Sequence, residues 1–280
     1  MKVRLDKFLS DEMPEVRSEG KRRIKGGRVR VNGEVVLRPE TKIDDEADTV
    51  TVDGAAVAHT GLVYLMMNKP SGVLSATRDR RVQTVVSLVD EPYSSKLFPA
   101  GRLDKDTEGL MLLTNDGQLS HNLLSPSKHV SKTYFAIISG GADDALAGSF
   151  ARGMDIGEEK KTLPAQLMFL TVDGDFIESK VRRPETEGHS LLVTREQMQE
   201  FCLKSIALTD FSRCGENECC TAVAVTEGKF HQIKRMFEKC GREVHFLKRI
   251  AIGPVCLDQE LDAGAYRPLT KEELCALRGN

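Results

Sequence analysis

The chain of 280 residues has no run of 18 apolar residues, no Cys-x-x-Cys pair and no excess of charge of either sign. The first absence excludes a membrane-spanning helix, and the start, MKVRLDKFLSDEMPE, lacks the apolar stretch of an export signal. A cytoplasmic protein is therefore expected. The seven cysteines, at 202, 214, 219, 220, 240, 256 and 275, are an odd number. Without paired spacing they form neither a disulfide framework nor a zinc motif. Only Cys214, Cys219 and Cys220 cluster, and no histidine follows them at ligand spacing, so no metal is expected. Forty Lys and Arg against 42 Asp and Glu leave a net charge of -2. Any nucleic-acid site must then be a local patch rather than a global field. No internal repeat, coiled-coil signal or low-complexity segment is present, and a monomer is the default.

The length allows two domains. Residues 1–60 read as a small α+β module, with short helical patterns at 3–9 and 16–24. Short β-like pieces at 28–32 and 49–52 carry Asn32-Gly33 and Asp53-Gly54 turns. Between Arg17 and Lys42 nine basic residues face three acidic ones, a local net of +6. A helix there sets Arg17, Lys21 and Lys25 on one face, beside Arg22, with Arg28 and Arg30 continuing onto the next strand. Such a stripe fits a phosphate backbone. It equally fits a solvated helix face.

Residues 61–280 alternate strand-like runs (62–67, 97–100, 110–114, 133–138, 163–170, 220–225, 244–252) with helical patterns (118–124, 143–151, 196–203, 231–240). Strands outnumber helices, which predicts an α+β fold with a mixed, largely antiparallel sheet flanked by helices. Residues 173–218 carry few strand signals.

Two stretches concentrate chemistry. In AGRLDKDTEGLMLLTNDG, residues 100–117, an extended backbone puts Arg102, Asp104 and Asp106 on one face ahead of the apolar run 110–113. The carboxylates could be an acid/base pair or half of a surface salt bridge, and a spacing of roughly 7 Å does not choose. In EGKFHQIKRMFEKCG, residues 227–241, Ile233, Met236, Phe237 and Cys240 form an apolar helical stripe. His231, Lys234 and Arg235 then face away from it.

Together with RSEGKRRIKGGRVRVNGEVV (17–36), NKPSG (68–72), SKTYFAII (131–138) and LKRIAIGPVCLD (247–258), these stretches resemble bacterial ribosomal RNA pseudouridine synthases of the RsuA family. That family places an S4-like RNA-binding domain before the catalytic domain. The resemblance spans nearly the whole chain, and GRLD followed by DTEGLMLLTNDG is its most specific part. It implies domains at 1–60 and 61–280, with an apparent insertion around 174–218. DGQLSHNLLSPSKHVSKTY and LDAGAYRPLTKEEL look most like the branch that modifies one uridine of small-subunit (16S) rRNA, position 516. Large-subunit (23S) rRNA is the alternative substrate, and a non-catalytic ribosome-assembly factor the alternative role.

The resemblance further implies that Asp104 is the nucleophile of a redox-neutral isomerisation needing no cofactor or metal. Tyr134 is implied to stack on the uracil. Lys234, standing where the family often has arginine, supplies the cation that keeps Asp104 ionised, with Arg235 as the other candidate. Arg102, His231, Gln232 and Arg235 join Arg17, Lys21, Arg22, Lys25, Arg28 and Arg30 as expected RNA-binding residues. A uridine in folded RNA must be flipped out before Asp104 reaches it. A methyltransferase reading needs a glycine-rich cofactor loop, and its one candidate, SGGADDALAG at 139–148, lacks the spacing.

Overall fold

The computed structural model describes residues 2–13, 17–173, 176–179 and 195–279. They form two compact units: residues 2–63 with 91–96, and residues 64–90 with 97–279.

The first unit comprises β1 (Lys2–Arg4), α1 (Leu5–Glu12), α2 (Arg17–Lys25), β2 (Val29–Val31), β3 (Glu34–Val35), β4 (Lys42–Asp44), β5 (Val50–Val52) and β6 (Ala55–Ala56). Strands pair antiparallel in the order β3-β2-β5-β6, and β1 pairs with β4. Asn32-Gly33 and Asp53-Gly54 turn the two hairpins with all four residues at positive φ, the backbone of a two-residue turn that matches strand twist. Leu5, Phe8 and Leu9 recur at helical spacing and meet Ile24, Val29, Ile43, Val50 and Val52 in the core.

Two buried carboxylates are compensated locally. Asp6 takes both nitrogens of the Arg4 fork at 3.0 Å. Glu12 accepts from the Thr60 backbone and hydroxyl at 3.1 and 2.9 Å and from Lys96. Burial pushes Glu12 up, but Lys96 and Thr60 outweigh it and hold the carboxyl below its ordinary value.

The second unit runs β7 (Tyr64–Lys69), β8 (Phe98–Pro99), β9 (Glu108–Thr114), α3 (Gly117–Leu124), β10 (Lys132–Ser139), α4 (Asp144–Arg152), β11 (Gln166–Asp173), β12 (Phe176–Ser179), α5 (Arg195–Ser205), α6 (Leu208–Phe211), β13 (Glu218–Val225), α7 (Gln232–Lys239), β14 (Val244–Ile252), β15 (Val255–Cys256), β16 (Tyr266–Pro268) and α8 (Lys271–Arg278). A ten-stranded sheet has the path β12-β11-β13-β10-β14-β9-β7-β16, with β8 and β15 attached at its sides. Its pairings are antiparallel except β9 with β14, so the mixed, largely antiparallel sheet expected from the strand count is present.

Central β10 is buried on both faces. Phe135 and Ile137 pack under α5 with Met198, Phe201 and Cys202. Ala136 and Ile138 pack under α4 and α7 with Leu146, Phe150, Met236 and Phe237. Each phenylalanine so buried contributes roughly 2–3 kcal/mol. Helix α5 lies inside 173–218, so that stretch supplies part of the core. Residues 180–194 lie outside the described residues.

The parallel junction of β9 and β14 sets up the site. Arg249 is buried, pairs with Gly109 in register and donates from Nε to the Leu110 carbonyl at 2.8 Å. Gly109 has φ +97, and a Cβ there would stand 2.3 Å from the Arg249 carbonyl oxygen. Both the torsion and the contact require glycine. Gly109→Ala is expected to lower stability by roughly 2–4 kcal/mol, read as a fall in the urea midpoint. An unchanged midpoint would show that the junction yields freely.

Candidate active site

Asp104 sits in the loop between β8 and β9, with its side chain partly exposed. The extended alternation considered for 102–106 does not run through the loop. The Thr107 N–H donates to the Asp104 carbonyl at 3.1 Å, closing a turn at Lys105 and Asp106. Period-two alternation therefore ends at Asp104. Asp104 and Asp106 are brought together by a shared cation instead.

The backbone on either side of Asp104 is held from below by residues 69–75. The Ser75 hydroxyl accepts from the Leu103 N–H at 2.9 Å and donates to the Leu103 carbonyl at 2.8 Å. Gly72 N–H donates to the Lys105 carbonyl at 2.8 Å. Lys69 is fully buried. Its ammonium donates to the carbonyls of Pro70 (3.0 Å), Lys105 (3.1 Å) and Thr107 (2.9 Å). NKPSG is thus the clamp beneath the loop. No motif in the sequence assigns Lys69 or Ser75 a task; the signal the sequence does carry is a lysine closing the run YLMMNK.

Above the loop stands the start of α7. Lys234 Nζ donates to both oxygens of Asp106, at 2.6 and 2.7 Å, and lies 4.0 Å from Asp104 Oδ2. His231 Nε2 is 3.5 Å from Asp104 Oδ1. Burial pushes Asp106 up, and the Lys234 bonds more than reverse it, leaving the carboxyl below its ordinary value. Lys234 is the cation beside Asp104, and Asp106 holds it there.

Arg235, the other candidate, points elsewhere. Its Nη1 meets Glu158 at 2.6 Å and the Phe230 carbonyl at 3.1 Å, and its Nη2 meets the Ile156 carbonyl. Gln232 is buried, its amide spent on Glu227 (3.0 Å) and on the Lys229 N–H (3.0 Å).

These pieces enclose a cavity of about 90 Å³ lined by Arg102, Asp104, Thr107, Tyr134, His231 and Lys234, with Val225, Ile233 and Leu247 as apolar wall. Tyr134 reaches it from β10. Arg102 is exposed. The buried hydroxyl of Thr107 has no hydrogen-bond partner among the described residues, a cost of about 1–3 kcal/mol unless an occupant supplies one. Among the described residues no group of three or more His, Cys, Asp or Glu could hold a metal ion.

The expected basic residues of the first unit divide. Lys25 and Arg30 are exposed, and Lys21 is exposed 3.8 Å from Asp6. Arg22 pairs with Glu19 at 2.9 Å, and Arg28 is forked onto Asp53 at 2.6 Å through both nitrogens. Arg17 opens α2, and its side chain lies outside the described residues.

A carboxylate-bearing loop is clamped over a sheet and faced by a basic helix, and comparison with known proteins gives the class of the chain. Residues 63–239 match the RNA pseudouridylate synthase family, and residues 3–50 match the S4 domain. A Bacillus subtilis (strain 168) protein described as an uncharacterized RNA pseudouridine synthase is 39% identical over 273 residues, 97% of each chain. The ribosomal small subunit pseudouridine synthase A of Escherichia coli (strain K12) is 36% identical over 277 residues, 98% of this chain and 100% of that one. A crystal structure of a pseudouridylate synthase superposes with a TM-score of 0.58 at 31% identity, covering 98% of this chain and 99% of the other. The chain belongs to the RNA pseudouridylate synthase family and is an enzyme that isomerises uridine in RNA.

The clamp generates a test through pH. Burial pushes the Lys69 ammonium down to about 8, against the pull of Asp106, Glu108 and Asp104. The unfolded chain keeps that proton up to about 10.5. Lys69 therefore opposes folding most below pH 8, and its opposition fades as pH rises toward the unfolded value. The stability of wild type relative to Lys69→Met should rise by on the order of 3 kcal/mol between about pH 7 and pH 10, in urea titrations. A difference that is flat or falls with pH would contradict a charged, buried Lys69.

Proposed function

We propose that this synthase converts one uridine of small-subunit (16S) ribosomal RNA to pseudouridine, at the position 516 site, with Asp104 as nucleophile. The observation that carries the reading is Asp104 itself: a carboxylate on a clamped loop, at the wall of a base-sized cavity, beside Lys234 and Tyr134. The near-full-length likeness to small-subunit synthases supports the choice of RNA. The reading places the enzyme in the cytoplasm, where ribosomal RNA is assembled.

In this mechanism the target uridine leaves its stack and enters the cavity, its ring against Tyr134. Asp104 adds covalently to the base or the ribose, the N1–C1′ bond breaks, and the uracil turns. The C5–C1′ bond then forms, the bond to Asp104 breaks and returns its electron pair to the carboxylate, the C5 proton departs and N1 takes a proton, so the reaction is an isomerisation with no redox change. Lys234 presents its ammonium to this carboxylate at 4.0 Å. Flipping costs a few kcal/mol, which RNA contacts elsewhere must offset. We assign that role to residues 1–60, through Lys21, Lys25 and Arg30 first.

Asp104→Asn, nearly isosteric, is expected to abolish tritium release from C5-labelled 16S transcripts while affinity for the RNA stays within a few fold. Full activity in that variant would remove Asp104 from the mechanism, and conversion of 23S transcripts alone would move the substrate to the large subunit. For the basic stripe, Lys25→Ala with Arg30→Ala should reduce the slope of log affinity against log salt by about 2. An unchanged slope in a filter-binding titration would make the stripe a solvated face.

A further inference from the structure

Phe230 is a large apolar side chain left 67% exposed. Its ring stacks on His231, centroids 3.9 Å apart and planes within 17°. His231 in turn reaches Asp104 at 3.5 Å. The exposed ring is therefore one residue's thickness from the carboxylate.

The position is built rather than accidental. Arg235 holds the Phe230 carbonyl at 3.1 Å, and the Gln232 amide holds the Lys229 N–H at 3.0 Å. His231 is kept at φ +50 and ψ +33, a left-handed backbone that costs energy for a residue with a side chain. That torsion lets the two consecutive rings stack instead of pointing apart.

The cavity at Asp104, about 90 Å³, is well below the several hundred Å³ that drug-sized ligands fill. It has room for one base, so the nucleotides on either side of a flipped uridine must lie on the surface outside. Lys229, His231 and Lys234 line the same cavity, which suits a polyanionic strand leaving it. The outer face of Phe230 carries no ring partner among the described residues.

Resting on the function proposed above, we infer that Phe230, backed by His231, is a stacking platform for the nucleobase next to the target uridine. It is a binding residue that holds the gap opened by flipping, and it takes no part in bond making. Stacking tolerates any base because every base has a π-face. The platform therefore adds affinity without reading sequence.

The test compares wild type, Phe230→Ala and Phe230→Tyr on a synthetic hairpin spanning the uridine that wild type converts, in 16S or 23S RNA. Removing the ring is expected to raise KM about tenfold at unchanged kcat, and tyrosine to restore it. Replacing one neighbour of the target by an abasic nucleotide should erase the difference between wild type and Phe230→Ala. A KM for Phe230→Ala within about twofold of wild type, or a penalty that survives when both neighbours are abasic, would overturn the platform while leaving the synthase reading intact. Absence of conversion of either RNA by wild type would overturn both.

Discussion

One buried ammonium holds the Asp104 loop in place. Lys69 gives its three protons to the carbonyls of Pro70, Lys105 and Thr107, so the residues on either side of Asp106 are tied to the end of β7. With Ser75 on Leu103, the backbone on both sides of Asp104 has a fixed reference in the sheet. A carboxylate on a surface loop would ordinarily move with the loop. Here the supporting shell lies in a single segment, 69–75, and the glycine-dependent junction of β9 with β14 anchors the downstream end.

The electrostatics above the loop follow from that fixed geometry. Lys234 sits between two carboxylates at unequal distances, tightly on Asp106 and loosely on Asp104. Anchored on Asp106, Lys234 keeps its charge within 4.0 Å of Asp104 without capping it by a close hydrogen bond. His231 and Tyr134 complete the wall, and the first helix turn of α7 is positioned by its own buried stripe of Ile233, Met236 and Phe237.

Much of this was legible in the chain. The apolar periodicity of 233–240 and the unbroken run 110–113 identified core elements, and the Asn-Gly and Asp-Gly pairs identified both hairpins of the first unit. Resemblance singled out Asp104, Tyr134 and Lys234, and all three meet at one cavity. What stayed hidden depends on contacts distant in sequence. No local pattern says that Asp106 captures Lys234 across 128 residues, that Arg235 turns to Glu158, or that Gln232 is spent within its own loop. The extended reading of 102–106 failed for a related reason: the Thr107 to Asp104 hydrogen bond that breaks the alternation is stabilised by Lys69, far upstream. Lys69 and Phe230 violate simple expectation, one a charge in the core and the other an aromatic ring on the surface, and both lie at the site.

The proposed role of Asp104, held by this scaffold, is the isomerisation of uridine in ribosomal RNA. Carbodiimide labelling and primer extension across 16S and 23S RNA, from cells lacking the protein and complemented with wild type or Asp104→Asn, test it directly. One pseudouridine stop in 16S RNA is expected to disappear with the protein and to return with wild type alone. Return of that stop with Asp104→Asn, or no change at any position, would contradict it.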